Sequence, residues 1–355
     1  MKRMDSRILN FWKAIKLPLL AVSGGFLLGA LLMILVGYDP ITGYAALLDG
    51  AFGGKRSANL VGTLVRAAPI IGLALGAGLA FTGGFFNIGG EGQMVLGAIS
   101  STLVGIYSPF PARITFILSL FTAILVSGTY AWICARMDVR FKIPVFISSL
   151  LLNYPANYFA TYLVNHHFRD RASGVVQTQK IPTSLQIPKI IPNSQFHAGI
   201  IIIPVLVVLL TWLLKKTEIG YKIRMSGFNR KFLAYGGVDT AKLETGLMFA
   251  SGAIMGLIGF LEVFGTRYRY IPGMLTTPLY AWTAITTAIL ADNNPLGILI
   301  AGFLMSAIQN GGYGMERMSE VPREISRVIQ SIIIMIICAV SGLKGSLLRS
   351  DKKDS

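Results

Sequence analysis

Charge is scarce in this chain. Only 14% of its 355 residues are Asp, Glu, Lys or Arg, where a soluble domain carries about 25%. Cysteine is scarcer still: Cys134 and Cys338 alone, which excludes both a disulfide framework and a zinc ligand spacing. Three histidines, His166, His167 and His197, fall in one polar segment, and a solvated loop explains them better than a metal site. No G-x-x-x-x-G-K-[ST] phosphate loop occurs. The nearest lookalike, Gly53-Gly54-Lys55-Arg56, lacks the first glycine spacing and the Ser/Thr, so the chain does not hydrolyse ATP itself. H-E-x-x-H and G-x-S-x-G are missing too. No paired carboxylates inside the apolar runs suggest a membrane enzyme or a proton relay.

What the chain does have is apolar length. Hydrophobic residues make up 53%, more than one water-soluble core of this size can hide. Stretches of about 20 apolar residues match a hydrocarbon core of about 30 Å, and backbone in lipid must bond within its own helix. The runs predict an all-α membrane protein with about ten transmembrane helices near 17–37, 58–82, 91–107, 113–135, 144–165, 198–214, 245–264, 279–291, 296–312 and 327–343. The eighth is short enough to be broken or re-entrant. Lys2, Arg3, Arg7, Lys13 and Lys16 precede the first run. That run is long for a signal peptide and no A-x-A-like site follows, so an uncleaved first helix is expected.

The net charge of +16 comes from 32 basic residues against 16 acidic ones. They sit in short segments between apolar runs, which argues against nucleic-acid binding. Segments on the side of the N-terminus hold 19 Lys and Arg and those on the other side 11. The bias predicts both termini in the cytoplasm. Four spans in 58–165 and four in 245–343 begin on opposite sides, the plan of an inverted repeat. The whole chain, 1–355, then reads as one transmembrane domain with its membrane region at 17–343. Three connecting segments exceed simple turns: 38–57; the polar external loop 166–197; and the basic cytoplasmic loop 215–244, long enough for a short helix of its own.

The stretch Gly83-Gly84-Phe85-Phe86-Asn87-Ile88-Gly89-Gly90-Glu91-Gly92-Gln93 interrupts two apolar runs with five glycines and three polar side chains. Such a break lets backbone approach closely and turns N–H and C=O groups toward a cavity. Glu91 reads two ways: as a carboxylate on a solute path, or as a helix N-terminal acid at the membrane interface. Asn153, followed by Tyr154-Pro155, lies within the fifth run, where it lines a path or ties helices together. Arg66 lies in the second run, and Glu262 near the end of the seventh, within reach of the interface.

These residues carry a resemblance. Phe86-Asn87-Ile88-Gly89-Gly90-Glu91-Gly92-Gln93-Met94 with Leu96-Gly97-Ala98 resembles the N-I-G-x-E-G-Q signature of bacterial ABC importer permeases. The subgroup is that of nucleosides and simple sugars within the branched-chain amino acid and ribose permease superfamily. Ala68-Pro69-Ile70-Ile71-Gly72-Leu73-Ala74 is similar to its A-P-L-I-L-T-G-L-A. Thr217-Glu218-Ile219-Gly220-Tyr221-Lys222-Ile223-Arg224 resembles its T-x-x-G-Y-K-x-R, followed by Gly227-Phe228-Asn229 and Ala234-Tyr235-Gly236-Gly237-Val238. Asn293-Asn294-Pro295-Leu296-Gly297-Ile298 resembles N-N-P-L-G-I. Two stretches depart from the pattern: Lys142-Ile143-Pro144 before Leu152-Asn153-Tyr154, and Thr276 to Thr283 in place of a glycine-rich, Asp-containing segment.

The resemblance covers about residues 40–343. It implies an importer for nucleosides or a related small polar solute such as a simple sugar, in the bacterial cytoplasmic membrane. It further implies that ATP is used by a separate ATPase subunit, that a second, shorter permease completes a heterodimer, and that a lipoprotein or periplasmic receptor delivers the solute. The chain itself is expected to be no enzyme and to need no cofactor or metal. Asn87, Glu91, Gln93 and Asn153 are expected along the path. Gly220, Tyr221, Arg224, Asn229, Ala234, Tyr235 and Gly236 are expected to couple to the ATPase. The alternatives are an ion-coupled secondary transporter, which the coupling-loop match and the scarcity of intramembrane carboxylates oppose, and a membrane enzyme, for which no polar catalytic cluster is found.

Overall fold

The structure is a computed structural model describing residues 20–54 and 58–350; the side chains of 337, 338 and 340–350 are outside that description. The basic N-terminal residues, Lys55, Arg56 and the Cys338 side chain therefore lie outside the described residues. Thirteen α-helices are described: α1 (Leu20–Val36), α2 (Pro40–Phe52), α3 (Ala58–Thr82), α4 (Gly90–Tyr107), α5 (Ala112–Phe141), α6 (Val145–His166), α7 (Ile202–Lys216), α8 (Glu218–Phe228), α9 (Arg230–Tyr235), α10 (Thr240–Leu261), α11 (Tyr280–Leu290), α12 (Pro295–Met318) and α13 (Glu324–Ser350). No β-strand occurs among the described residues.

Each predicted apolar run coincides with a helix. Five segments, Ala58–Thr82, Ala112–Phe141, Ala198–Lys216, Thr240–Arg267 and Pro295–Met318, are long and apolar enough to cross a membrane, and α1 and α11 are shorter apolar helices. The chain is a multi-pass membrane protein. With 11 residues, α11 spans about 16 Å at 1.5 Å per residue, half a bilayer core.

The chain forms two compact units, Met1–Thr63 with Leu304–Ser355, and Leu64–Phe303. In the first, α2 was not expected. Asp39 caps it, accepting from the Ile41 and Thr42 amides at 3.1 and 3.0 Å, and Pro40 occupies the position whose missing N–H costs nothing. There Gly50 on α2 meets Gly314 on α12, with no room for a side chain. Asn310 Nδ2 lies 3.1 Å from the carbonyls of Gly50 and Asn59 and 3.0 Å from Thr63 Oγ1.

In the second unit, α4, α5 and α10 form the centre. Small residues bring their backbones together: a methyl group at Gly97 would stand 2.6 Å from the Gly256 Cα, and Gly259 lies against the Met94 carbonyl. Membrane helices gain little from the hydrophobic effect between themselves, so such close van der Waals packing holds them. α3 is buried along most of its length, with Ile70, Leu73 and Leu75 essentially inaccessible. It stays helical through Pro69, as α6 does through Pro155.

The segment 166–197 is packed rather than loose. The Ile181 amide donates to the Tyr268 carbonyl at 2.8 Å and the Ile187 amide to Phe264 at 2.9 Å. Ile181 and Leu185 are buried. His197 is buried as well, while His166 and His167 are exposed. At the end of α10, Glu262–Arg267 winds as a π-helical turn. Glu262 does not reach the interface as its position suggested: it is 9% exposed and accepts a hydrogen bond from Thr266.

Candidate functional site

The glycine-rich break joins α3 to α4. Gly84 has φ +86° and faces Gly227, so a Cβ there would be strained and would stand 3.3 Å from the Gly227 Cα. Beyond it, Asn87 and Gln93 form a reciprocal amide pair. Asn87 Nδ2 donates to Gln93 Oε1 at 3.0 Å, and Gln93 Nε2 donates to Asn87 Oδ1 at 3.0 Å. Asn87 Nδ2 also donates to Ser251 Oγ on α10 at 2.9 Å, and Ser251 Oγ donates to the Gly76 carbonyl on α3 at 2.7 Å. Both amides are fully buried, where each missing partner would cost a desolvation penalty.

The start of α4 shows why the break needs a second helix. Its N-cap is Gly89, which has no side chain to offer, and the first amides of a helix lack intrahelical partners. Asn153 on α6 supplies the cap from outside: its Oδ1 accepts from the Gly92 amide at 2.8 Å and its Nδ2 donates to the Ile88 carbonyl at 3.1 Å. Ser149 Oγ accepts from the Ile88 amide at 3.1 Å. Ser127 Oγ on α5 donates to the Gln93 carbonyl at 2.6 Å. The break is thus clamped by α5, α6 and α10 together.

Of the four residues expected on the path, Asn87, Gln93 and Asn153 are brought together, and their polar atoms face one another and the backbone. Glu91 stands apart. It is half-buried and accepts from Asn157 Nδ2 on α6 at 2.7 Å. Asn157 was not foreseen. It sits one turn after Asn153, a spacing that places both on the same face of α6.

The basic segment 215–244 runs from the end of α7 through α8 and α9 to the start of α10. Thr217 Oγ1 accepts from the Gly220 amide at 3.0 Å to cap α8, and Asn229 Oδ1 accepts from the Phe232 amide at 3.0 Å to cap α9. Asp239 caps α10 in the same way; those amide bonds hold its exposed carboxyl below the usual carboxylate range. Tyr221, Asn229, Ala234, Tyr235 and Gly236 are exposed, Tyr235 to 91%. Gly220 instead is buried against the Leu213 carbonyl of α7, and Arg224 is half-buried. Phe228 and Phe232, 83% and 62% exposed, extend the apolar tip and were missed. Two aromatic residues standing in a basic loop were the available signal.

Long apolar helices around a clamped, glycine-broken centre are those of a multi-pass membrane protein. The chain belongs to the family described as "Branched-chain amino acid transport system / permease component", which it matches over residues 59–338. It is 30% identical to the guanosine ABC transporter permease protein NupP of Bacillus subtilis, over 95% of this chain and 96% of that one. It is 29% identical to the nucleoside ABC transporter permease protein NupB of Lactococcus lactis, over 92% of each. A third relative is the glucose ABC transporter permease protein TsgB13 of Haloferax volcanii, at 27% identity over 93% of this chain and 89% of that one. This chain is accordingly a permease subunit of an ABC importer, and ion-coupled secondary transport is not favoured.

Proposed function

We propose that the solute is a nucleoside and that this chain is the longer permease of a heterodimeric importer. The observation that carries the reading is its end-to-end likeness to two nucleoside permeases. A simple sugar is the second reading, supported by the likeness to the glucose permease. On this reading ten helices cross the cytoplasmic membrane of a bacterium with both termini inside. Segments 58–165 and 245–343 form an inverted repeat. Segment 166–197 faces the receptor, a lipoprotein or periplasmic protein. Segment 215–244 faces a separate ATPase subunit that binds and hydrolyses ATP.

The exposed aromatic tip of α8 and α9 suits docking into a protein groove, with Tyr221, Asn229, Ala234, Tyr235 and Gly236 as contacts. Gly220 and Arg224 then support the helix pair from behind. Glu91, with Asn157, borders the path. Asn87, Gln93 and Asn153 hold its wall rather than touch the solute. The energetic logic is population shift: each nucleotide state of the ATPase favours one arrangement of the helices. The test is isolation of the complex from native membranes in mild detergent, followed by proteoliposome uptake of radiolabelled guanosine and glucose. Co-isolation of an ATPase and a second permease with ATP-driven guanosine uptake is expected. A homodimer without an ATPase would sink the heterodimeric importer, and uptake of glucose alone would move the solute to the sugar.

A further inference from the structure

The coupling segment does not merely hang below the helices. Gly227, at the end of α8, leaves no room for a methyl group against the Thr82 carbonyl, and it packs on Gly84 of the glycine-rich break. Three residues on, Arg230 opens α9 and reaches three other elements. It forms an ion pair with Glu244 in the first turns of α10, lies 3.9 Å from Asp138 Oδ2 near the end of α5, and stands over the Phe85 ring of the break at 5.2 Å. Glu244 is fully buried. The Arg230 side chain is 42% exposed, but a buried carboxylate left without its cation is costly, so loss of Arg230 would strand Glu244. A recess of about 470 Å³, lined by Gly84, Phe85, Asp138, Val145, Gly227 and Arg230, adjoins the guanidinium.

Glu244 sits seven residues before Ser251, the α10 residue that holds Asn87, and eleven before Met255, whose sulfur lies 3.9 Å from Asn87 Nδ2. That spacing puts Glu244, Ser251 and Met255 on one face of α10. One end of this face is gripped by the coupling segment and its middle by the clamp of the break.

We propose that Arg230 is the positioning residue through which movement of α8–α9 reaches α10 and the Asn87–Gln93 clamp. The inference rests on the ATPase-docking role proposed for segment 215–244. When the segment moves, the Arg230–Glu244 pair carries the foot of α10 with it, while Ser251 transfers the tilt to the break. The pair acts as a joint because separating it would leave a buried charge unpaired.

The test uses the complete complex in proteoliposomes, with ATP hydrolysis and radiolabelled guanosine uptake measured on the same vesicles. Arg230→Met is expected to assemble and hydrolyse ATP, with guanosine moved per ATP falling about tenfold; Arg230→Lys keeps most of the ratio. Because removal of the cation alone strands Glu244, the double variant Arg230→Met/Glu244→Met is measured too. It is expected to restore the amount of folded complex but not the transport ratio. A double variant that transports with the ratio of the unaltered complex overturns the proposal, since the pair would then serve folding only. Equal loss of hydrolysis and uptake in fully assembled complex overturns it as well. Absence of ATP-driven guanosine uptake in the unaltered complex counts against the nucleoside reading; the same ratios are then read with radiolabelled glucose, and the same outcomes decide the role of Arg230.

Discussion

At the residue scale, the clamp on the glycine-rich break carries most of the chemistry of the centre. Asn87 and Gln93 spend their amides on each other, on Ser251 and on the Gly89 amide. Gln93→Ala removes one half of that pair and leaves Asn87 Oδ1 and Nδ2 short of a partner in a buried site. A stability loss of about 1–3 kcal/mol is expected, read as a lower unfolding temperature in detergent; an unchanged midpoint would show that the pair contributes nothing. His197 offers a pH prediction. Burial pushes its imidazole from 6.5 down to about 4, so between those values the unfolded chain binds a proton that the folded chain does not. Stability is therefore full above about pH 6.5 and falls as pH drops toward 4. Replacing His197 by Gln should flatten the thermal-stability profile across that window. The polar residues of the break were legible in the sequence, but their direction was not. Asn87 meets Ser251 only because α10 packs beside the break, and nothing in the local pattern encodes that meeting.

At the scale of elements, hydrophobic run length found the long helices well, since lipid-compatible helices must be continuous and apolar. Helix α2 escaped because its 13 residues are too few for a span, although Asp39-Pro40 is a readable start signal. Helices α8 and α9 form where the basic loop was expected to hold one short helix, and Asn229, placed between them, caps the second. Their aromatic tip leads to the next prediction. Tyr235→Asp should leave the permease folded, because the side chain is 91% exposed, while the ATPase no longer stays bound or drives uptake. Co-purification of the ATPase with this variant at the level of the unaltered chain would remove Tyr235 from the docking surface.

At the scale of the whole molecule, the permease identity predicts the energy source. On the nucleoside reading, guanosine uptake by the reconstituted complex should stop when ATP is withdrawn and persist when ion gradients are dissipated by ionophores. Uptake that follows the ion gradient instead would revive secondary transport.

Composition and run length determined by themselves that this is a multi-pass helical membrane protein, because the bilayer admits few structures and the constraint is local. The glycine-rich stretch and the basic segment 215–244 likewise carried a resemblance to importer permeases. Only the tertiary structure decided which polar residues turn toward one another. It paired Asn87 with Gln93 across the break, sent Asn153 from α6 to cap α4, buried Glu262 in a π-helical turn, and joined Arg230 to Glu244. The meeting of Asn87 with Ser251 goes with the close packing of α4 on α10 through Gly97, Gly256 and Gly259. How closely two helices approach depends on both surfaces at once, which no single stretch of sequence specifies.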